Sequence, residues 1–571
     1  MKRILITVCF FAALVSCKKS NFLDNQSTAV LDESLTFSDS ARSMMFLSRI
    51  YADVGYSFSK GRWSSHGNSE QATDDAEYSF SGTGQGAVIL YNGTVSPTNF
   101  LGTPLSDFWN LPYVNIRRVN LLISKLPVTP LSADMQKRVK AESRFLRAWY
   151  YSQLLVSFGG LPLVGDNVYG IDDIIDLPRT SFAECVTYLT KELDEAAAVL
   201  PQVYSADIDY GRITKGACMA LKSKILLYAA SPLFNGGSIA TDPELAKIVS
   251  YPAYDVKHWQ DAADAAKAVM TSSYYALNVE TTIPGFGFYN VFLQRVNTEY
   301  IFGLYRPANR DFEGFYNPAS RSGAKYSMPT HNLAVAFPMK NGKAITDPTS
   351  GYNAADPYAN RDPRFRYSII FNLSRYANAN TGQATVLTYD GSGTADAFGD
   401  NTTGYFSRKM CDSNIAANSS ANTNRAWPLI RYAEILLNYA EAINETGQTQ
   451  LAYPALIELR TRAGIEPGTD NLYGLTANMS KDEMRLIIQN ERRIEMAFED
   501  QRWHDIRRWK IAMVTNNAFN NRIQIKKVGN NYTYTVVPSI RRHNFRPEMY
   551  LLPIPDPELR KMPSMVQNPG W

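Results

Sequence analysis

Glu491, Glu495 and Glu499 recur every fourth residue in "NERRIEMAFEDQRW", so on a helix three carboxylates would share one face. Paired carboxylates are the working groups of a glycosidase. Arg492, Arg493 and Arg502 lie within a turn of them, however, and a ladder of ion pairs produces the same spacing without any chemistry. We read the ladder as structural, because ion networks often imitate sites. The five histidines, His66, His258, His331, His504 and His543, are far apart, and none falls in a His-Glu-x-x-His spacing. A Gly-x-Ser-x-Gly elbow and a phosphate-cradling glycine loop are both missing from the sequence. No catalytic residue and no metal ligand is assigned, and the chain is read as a protein without bond chemistry.

Cysteine points to location instead. The five, at 9, 17, 185, 218 and 411, make no Cys-x-x-Cys or zinc spacing. Lys2 and Arg3 precede an apolar run from Ile4 to Val15, too short to span a bilayer, and small residues lead into Cys17. This is a secretory signal, and Leu14-Val15-Ser16-Cys17 is similar to a lipobox, in which the chain is cut before a cysteine that is then acylated. Residues 1–16 are therefore read as signal peptide and 17–33 as a lipid-anchored tether. Each buried methylene adds about 0.8 kcal/mol, so two or more acyl chains anchor a protein stably without spanning. Cys218, inside an apolar helical pattern, reads as a core residue. The formal net charge of +4 falls to +2 when Lys2 and Arg3 leave with the signal, which argues against nucleic acid as a partner.

Binding chemistry is carried by aromatics, 12% of the chain. A sugar ring has an apolar C–H face and a hydroxyl rim, so a flat aromatic face beside Asp, Asn or Arg suits it. Trp149, Trp503 and Trp509 fall on helical periods and read as core. Trp63 and Tyr78, in loop sequence, flank Asp74, Asp75 and Glu77, which could accept hydrogen bonds from hydroxyls. Phe312, Phe315, Tyr316 and Tyr326 lie beside Asn317, Arg321 and Lys325. Trp63, Asp74, Asp75, Tyr78, Phe315, Tyr316, Asn317, Arg321 and Tyr326 are the candidate ligand residues.

These loops need a frame. Helical periods run from Ser34 to about Ser57, through "MQKRVKAESRFLRAWYYSQLLVSF" to the Gly159-Gly160 stop, and over Ser181–Leu200, Thr214–Ala230 and Val256–Met270. Residues 275–425, rich in Asn, Gly, Tyr and Pro, read as an irregular insertion with short β-prone pieces. Helical order returns in "RYAEILLNYAEAINETG" and "AYPALIELRTRAG", a pair similar to a tetratricopeptide hairpin, and Ser480 with Glu483 forms a capping box for the next helix. A β-hairpin follows around Gly529-Asn530, then a proline-studded strap. The predicted organisation is a helical scaffold over 34–274 and 426–515, the insertion 275–425 and a C-terminal hairpin and strap over 516–571.

Taken in order, "NFLD", "ESRFLRAWYYSQLLVSFGGLPLV", "GRITKGACMALKSKILLYAASPLFN", "AFPMKNGKAI" with "YANRDPRF", "WPLIRYAEILLNYAEAINE", "NERRIEMAFEDQRWHDIRRWK" and "YLLPIPDPELRKMPSMVQNPGW" resemble the SusD/RagB group of outer-membrane nutrient-binding lipoproteins. The resemblance implies a mainly α fold: about four tetratricopeptide-like helix pairs, a large loop-rich insertion carrying the ligand surface, and a few short strands. It further implies a lipid anchor at the outer face of the outer membrane, an oligosaccharide or, in some members, peptide ligand, and a SusC-like TonB-dependent transporter as partner. No cofactor is implied. Calcium in the loop region is left open, because oxygen-ligand sites leave weak sequence traces. "RDPRF" and "RYAE" are read as structural, an Arg fork tying a loop or helix end.

Overall fold

The computed structural model describes residues 33–55, 68–78, 86–101, 104–170, 172–204, 207–378, 380, 382–399 and 403–571. The stretch read as signal peptide, Cys17, most of the expected tether and Trp63 lie outside these residues. The architecture is mainly α, a tetratricopeptide-like scaffold with a loop-rich insertion and short strands. Helix α1 (Ser40–Tyr51) packs on α2 (Asp107–Lys125) and α3 (Ala133–Phe158). α4 (Phe182–Ala197), α5 (Lys215–Ala230) and α6 (Val256–Thr271) follow. After the insertion come α7 (Tyr432–Glu445), α8 (Tyr453–Ala463), α9 (Lys481–Glu495) and α10 (Arg502–Arg508). Each scaffold helix from α2 to α7 packs on the next, and α7 also covers α8 and α9.

The local signals behind these helices are plain. Ser132 caps α3 by accepting from the Met135 amide, and the helix ends at Gly159, whose φ of 81° no β-carbon residue adopts cheaply. A Cβ on Gly160 would sit 2.1 Å from the Thr180 carbonyl oxygen, so the chain can only pass there as glycine. Ser181 with Glu184 and Ser480 with Glu483 form full capping boxes at α4 and α9. α3 begins with exposed Lys137 and Lys140 and finishes in the core, where Arg147 is buried against Glu192. Trp149, Trp503 and Trp509 are buried, as are the thiols of Cys185, Cys218 and Cys411.

One organisational detail differs from the sequence reading. The 432–445 helix was expected to pair with 453–463; it does touch it, but packs more extensively on α6 and α9. The insertion therefore interrupts a helix pair, leaving after α6 and returning through the strand Ala426–Arg431 to α7. The helix starting at Lys481 stops at Met496, where Phe498 (φ 61°) and Asp500 (φ 63°) turn the chain left-handed before α10 restarts.

Among the strands are β1 (Ala76–Tyr78), β2 (Tyr300–Tyr305), β3 (Ser327–Pro329), β4 (Ala426–Arg431), β5 (Phe519–Val528) and β6 (Asn531–Arg542). β2 pairs antiparallel with β4, and β5 with β6 around Gly529-Asn530, with Tyr534 opposite Ile525 and Val536 opposite Ile523. Alternation therefore puts Tyr532, Tyr534 and Val536 on one face of the hairpin.

Buried charge joins insertion to scaffold. Arg431, at the end of β4, contacts Glu299 at 2.6 Å, Glu495 at 2.8 Å and Glu499 at 2.7 Å. Arg364 contacts Asp362 at 2.8 Å, Glu491 at 2.7 Å and Glu495 at 2.9 Å. Arg460 holds Glu491, Arg462 holds Glu299 and Glu495, and Lys409 holds Glu499. Five cations thus face five carboxylates, so the network is neutral and tolerates burial. This corrects the expected partners of the ladder: Arg493 and Arg502 go to Asp74 and Asp75, and Arg492 to Asn438 and Glu441. Burial opposes ionisation of Glu491, Glu495 and Glu499, yet the arginines and Lys409 around them hold all three below the usual carboxylate range.

Candidate functional site

The fold brings the two candidate segments together. β1 pairs antiparallel with β3, setting Ala76 opposite Pro329 and Tyr78 opposite Ser327. Asn68 Nδ2 donates to Tyr316 Oη at 2.8 Å, and Gln71 Nε2 to the Tyr326 carbonyl at 2.8 Å.

Their side chains do not form an open platform. Asp74 and Asp75 are buried and taken up by arginines, Arg502 and Arg493 at 2.9 Å from Asp74 and Arg493 at 2.5 Å from Asp75. Burial alone would raise both carboxyls; Arg493 and Arg502 bring Asp74 down to about 2, while burial and the Asp74 charge keep Asp75 raised. Tyr78, Phe315 and Tyr316 are buried. Asn317 Oδ1 accepts from Tyr376 Oη at 2.8 Å, and Arg321 donates to the Ala377 carbonyl. These seven residues fasten the seam from inside, because they are buried and the contacts of Asp74, Asp75, Tyr316, Asn317 and Arg321 run to protein partners. Tyr326 is half-buried, its ring 5.3 Å from Phe315.

An open cleft lies one helical turn further along the chain, beyond His331–Ala336. Its volume is about 450 Å³. Pro284, Lys340, Tyr358, Asn360, Arg366, Phe371 and Glu466 line it. That size falls within the roughly 300–1,000 Å³ usual for ligand pockets. Sequence reasoning missed it because its wall comes from four separated segments. Asn360, at φ 53°, reverses the chain, and backbone bonds at 2.8 Å link Lys340 N to Asn360 O and Glu466 N to Lys340 O.

The "RDPRF" arginines build the wall from behind. Arg361 donates to the carbonyls of Ala334, Phe337 and Pro357, closing the His331–Ala336 turn, and its guanidinium lies 4.7 Å over the Phe365 ring. In front, Tyr358 packs on Phe371 at 4.5 Å and edge-on to Tyr534 at 5.5 Å. At the rim Lys340 and Glu466 pair at 2.9 Å, half-exposed, and exposed Arg366 donates to the Pro284 carbonyl at 2.9 Å. The cleft thus offers aromatic faces edged by donors and acceptors. None of Glu491, Glu495 and Glu499 lines it. His504, which burial and then the nearby Arg507 keep well below its ordinary pKa, does not line it either.

Comparisons with known proteins agree with one another. The family model described as SusD family matches residues 293–571, and the model described as "Starch-binding associating with outer membrane" matches 22–227. The chain is 25% identical over 479 residues to SusD-like protein P2 of Formosa agariphila, covering 82% of this chain and 81% of that protein. A SusD-like protein of Bacteroides fragilis superposes with a TM-score of 0.76 at 25% identity, over 95% of this chain and 98% of that one. A second B. fragilis structure, described as a SusD-like carbohydrate binding protein, superposes at 0.72 over 93% of this chain and 100% of that one. At 22% identity the latter likeness is one of fold.

Proposed function

The chain belongs to the SusD family, and from that premise we propose that it captures oligosaccharides or polysaccharide at the cell surface, without cleaving them. Lipid on Cys17 holds it to the outer membrane, and it passes its ligand to a SusC-like TonB-dependent transporter. Among the described residues no helix is long and apolar enough to cross a membrane. The starch-binding description of one matching family model supports the ligand class.

The observation that carries the reading is the cleft. Tyr358 and Phe371 supply flat apolar area for the C–H face of a sugar, while Asn360, Arg366, Lys340 and Glu466 stand where its hydroxyls would lie. Half-buried Tyr326 is retained as a further contact. Binding at one such cleft is weak, and holding captured glycan beside a transporter raises its local concentration.

Native affinity gels with soluble polysaccharides test this: the protein is expected to be retarded by at least one glycan and Phe371→Ala to weaken that retardation. Retention on peptides with no glycan retarded would replace the ligand class while leaving the family role intact.

A further inference from the structure

A second cavity, of about 90 Å³, opens where residues 203–204 and 210–214 meet β2. Beside buried Tyr300, four further tyrosines from four segments line it: Tyr204 after α4, Tyr210 ahead of α5, Tyr275 after α6 and Tyr305 at the end of β2. All four are half-buried, with ring surface left uncovered.

The backbone is shaped to admit these rings. Gly211 has φ 93°, and a Cβ there would sit 2.6 Å from Tyr305 Cδ2; a Cβ on Gly216 would sit 2.2 Å from Tyr275 Oη. Either contact would displace a ring, so glycine is required at both positions. The rings are also fixed from behind. Arg138 lies 4.5 Å over Tyr204, Arg295 lies 5.2 Å over Tyr305, and Tyr210 meets Tyr305 edge-to-face at 5.5 Å. Little ordering remains to be done when a ligand arrives.

Charge selects the class of ligand. Beside Tyr204 and Tyr210, Arg138 donates to Glu142 at 2.9 Å and to Asp209 at 2.8 Å, and Arg212 to Glu142 at 3.1 Å. Two cations and two carboxylates close on one another, so the Tyr204–Tyr210 end of the groove has no net charge for an ionic ligand. What remains is phenol: Tyr275 Oη lies 3.2 Å from Thr214 Oγ1, and Tyr204 Oη donates to the Ile213 carbonyl at 3.3 Å. Burial, then the Glu142 charge, pushes Tyr204 up to about 12, so its hydroxyl stays protonated. Val203, 48% exposed, extends the apolar surround.

We propose that this groove is a second contact site for the same glycan, taking one uncharged sugar residue against the Tyr204 and Tyr210 rings; it rests on the glycan-binding reading above. The cavity admits an edge of a ring rather than a chain, so its contribution depends on the cleft being engaged at the same time.

Affinity gels containing amylopectin, xyloglucan, galactomannan or anionic alginate would test it with wild type, the Tyr204→Ala/Tyr210→Ala double variant and Phe371→Ala. On a neutral glycan that retards the wild type, the double variant is expected to bind at least about threefold more weakly, the size of one lost ring contact. Hydroxyl-radical footprinting of the wild type, which needs no variant to fold, is expected to show Tyr204 and Tyr210 protected by that glycan. Unprotected tyrosines would overturn the groove and leave the cleft standing, as would unchanged retardation of a folded double variant. Retardation by alginate alone would overturn the uncharged class, and retardation by no glycan would overturn both readings.

Discussion

Arg502 grips Asp74 through two parallel hydrogen bonds, Nε to Oδ1 and Nη2 to Oδ2, each 2.9 Å, between residues 428 positions apart. The pair fastens the segment leading into β1 to the first turn of α10. Breaking a buried pair strands the other charge at a cost of about 3–5 kcal/mol. Asp74→Asn is therefore expected to lower the melting temperature strongly. With its pKa depressed to about 2 in the fold, against about 3.9 unfolded, Asp74 stabilises fully above about pH 4 and loses that contribution as pH falls through about 2. Melting scans between pH 4 and 2 should show a shallower acid slope in Asp74→Asn than in wild type. Equal slopes would mean that the ion pair carries no stability.

Glu70 behaves oppositely. It is 1% exposed, and burial, then the Asp75 and Asp500 carboxylates, push its pKa well above the ordinary value. A raised folded pKa gives a contribution that is full below the unfolded value of about 4.3 and lost as pH rises toward the folded pKa. Glu70→Gln, which does not titrate, should melt above wild type by a margin that widens from pH 4 to pH 8. A margin independent of pH would contradict the shift.

Glu495 separates structure from catalysis. It accepts from Arg364, Arg431 and Arg462, so Glu495→Gln should destabilise the fold by several kcal/mol. Wild type incubated with a glycan that it binds should release no reducing ends. Release by the wild type that a still-folded Glu495→Gln abolishes would make the carboxylate catalytic.

Anchoring is tested by fractionation. Cys17→Ser should leave the membrane fraction and appear in the soluble one, because a chain without acyl groups has nothing to insert. Retention in the membrane would refute the lipid attachment.

Much of the scaffold was legible because its signals are local. The Ser480–Glu483 box, the Gly159 stop and the Gly529-Asn530 turn each act within a few residues. What long-range packing decides was not. The partners of the glutamate ladder arrive from Arg460, Arg431 and Arg364, which lie 31, 64 and 131 residues away. The pairing of α6 with α7 spans the whole insertion, so no hairpin signal announces it. At the candidate site the residue types were informative but their roles ambiguous. An Asp that could accept a sugar hydroxyl is the same Asp that accepts Arg502, and burial alone tells them apart.

Glycan binding at the cleft is the central claim, and its most direct measurement is affinity electrophoresis of wild type and Phe371→Ala across a polysaccharide panel, with melting curves for both. The account predicts that at least one glycan retards the wild type and that Phe371→Ala, still folded, is retarded at least about threefold less. A folded wild type that no glycan retards would contradict it.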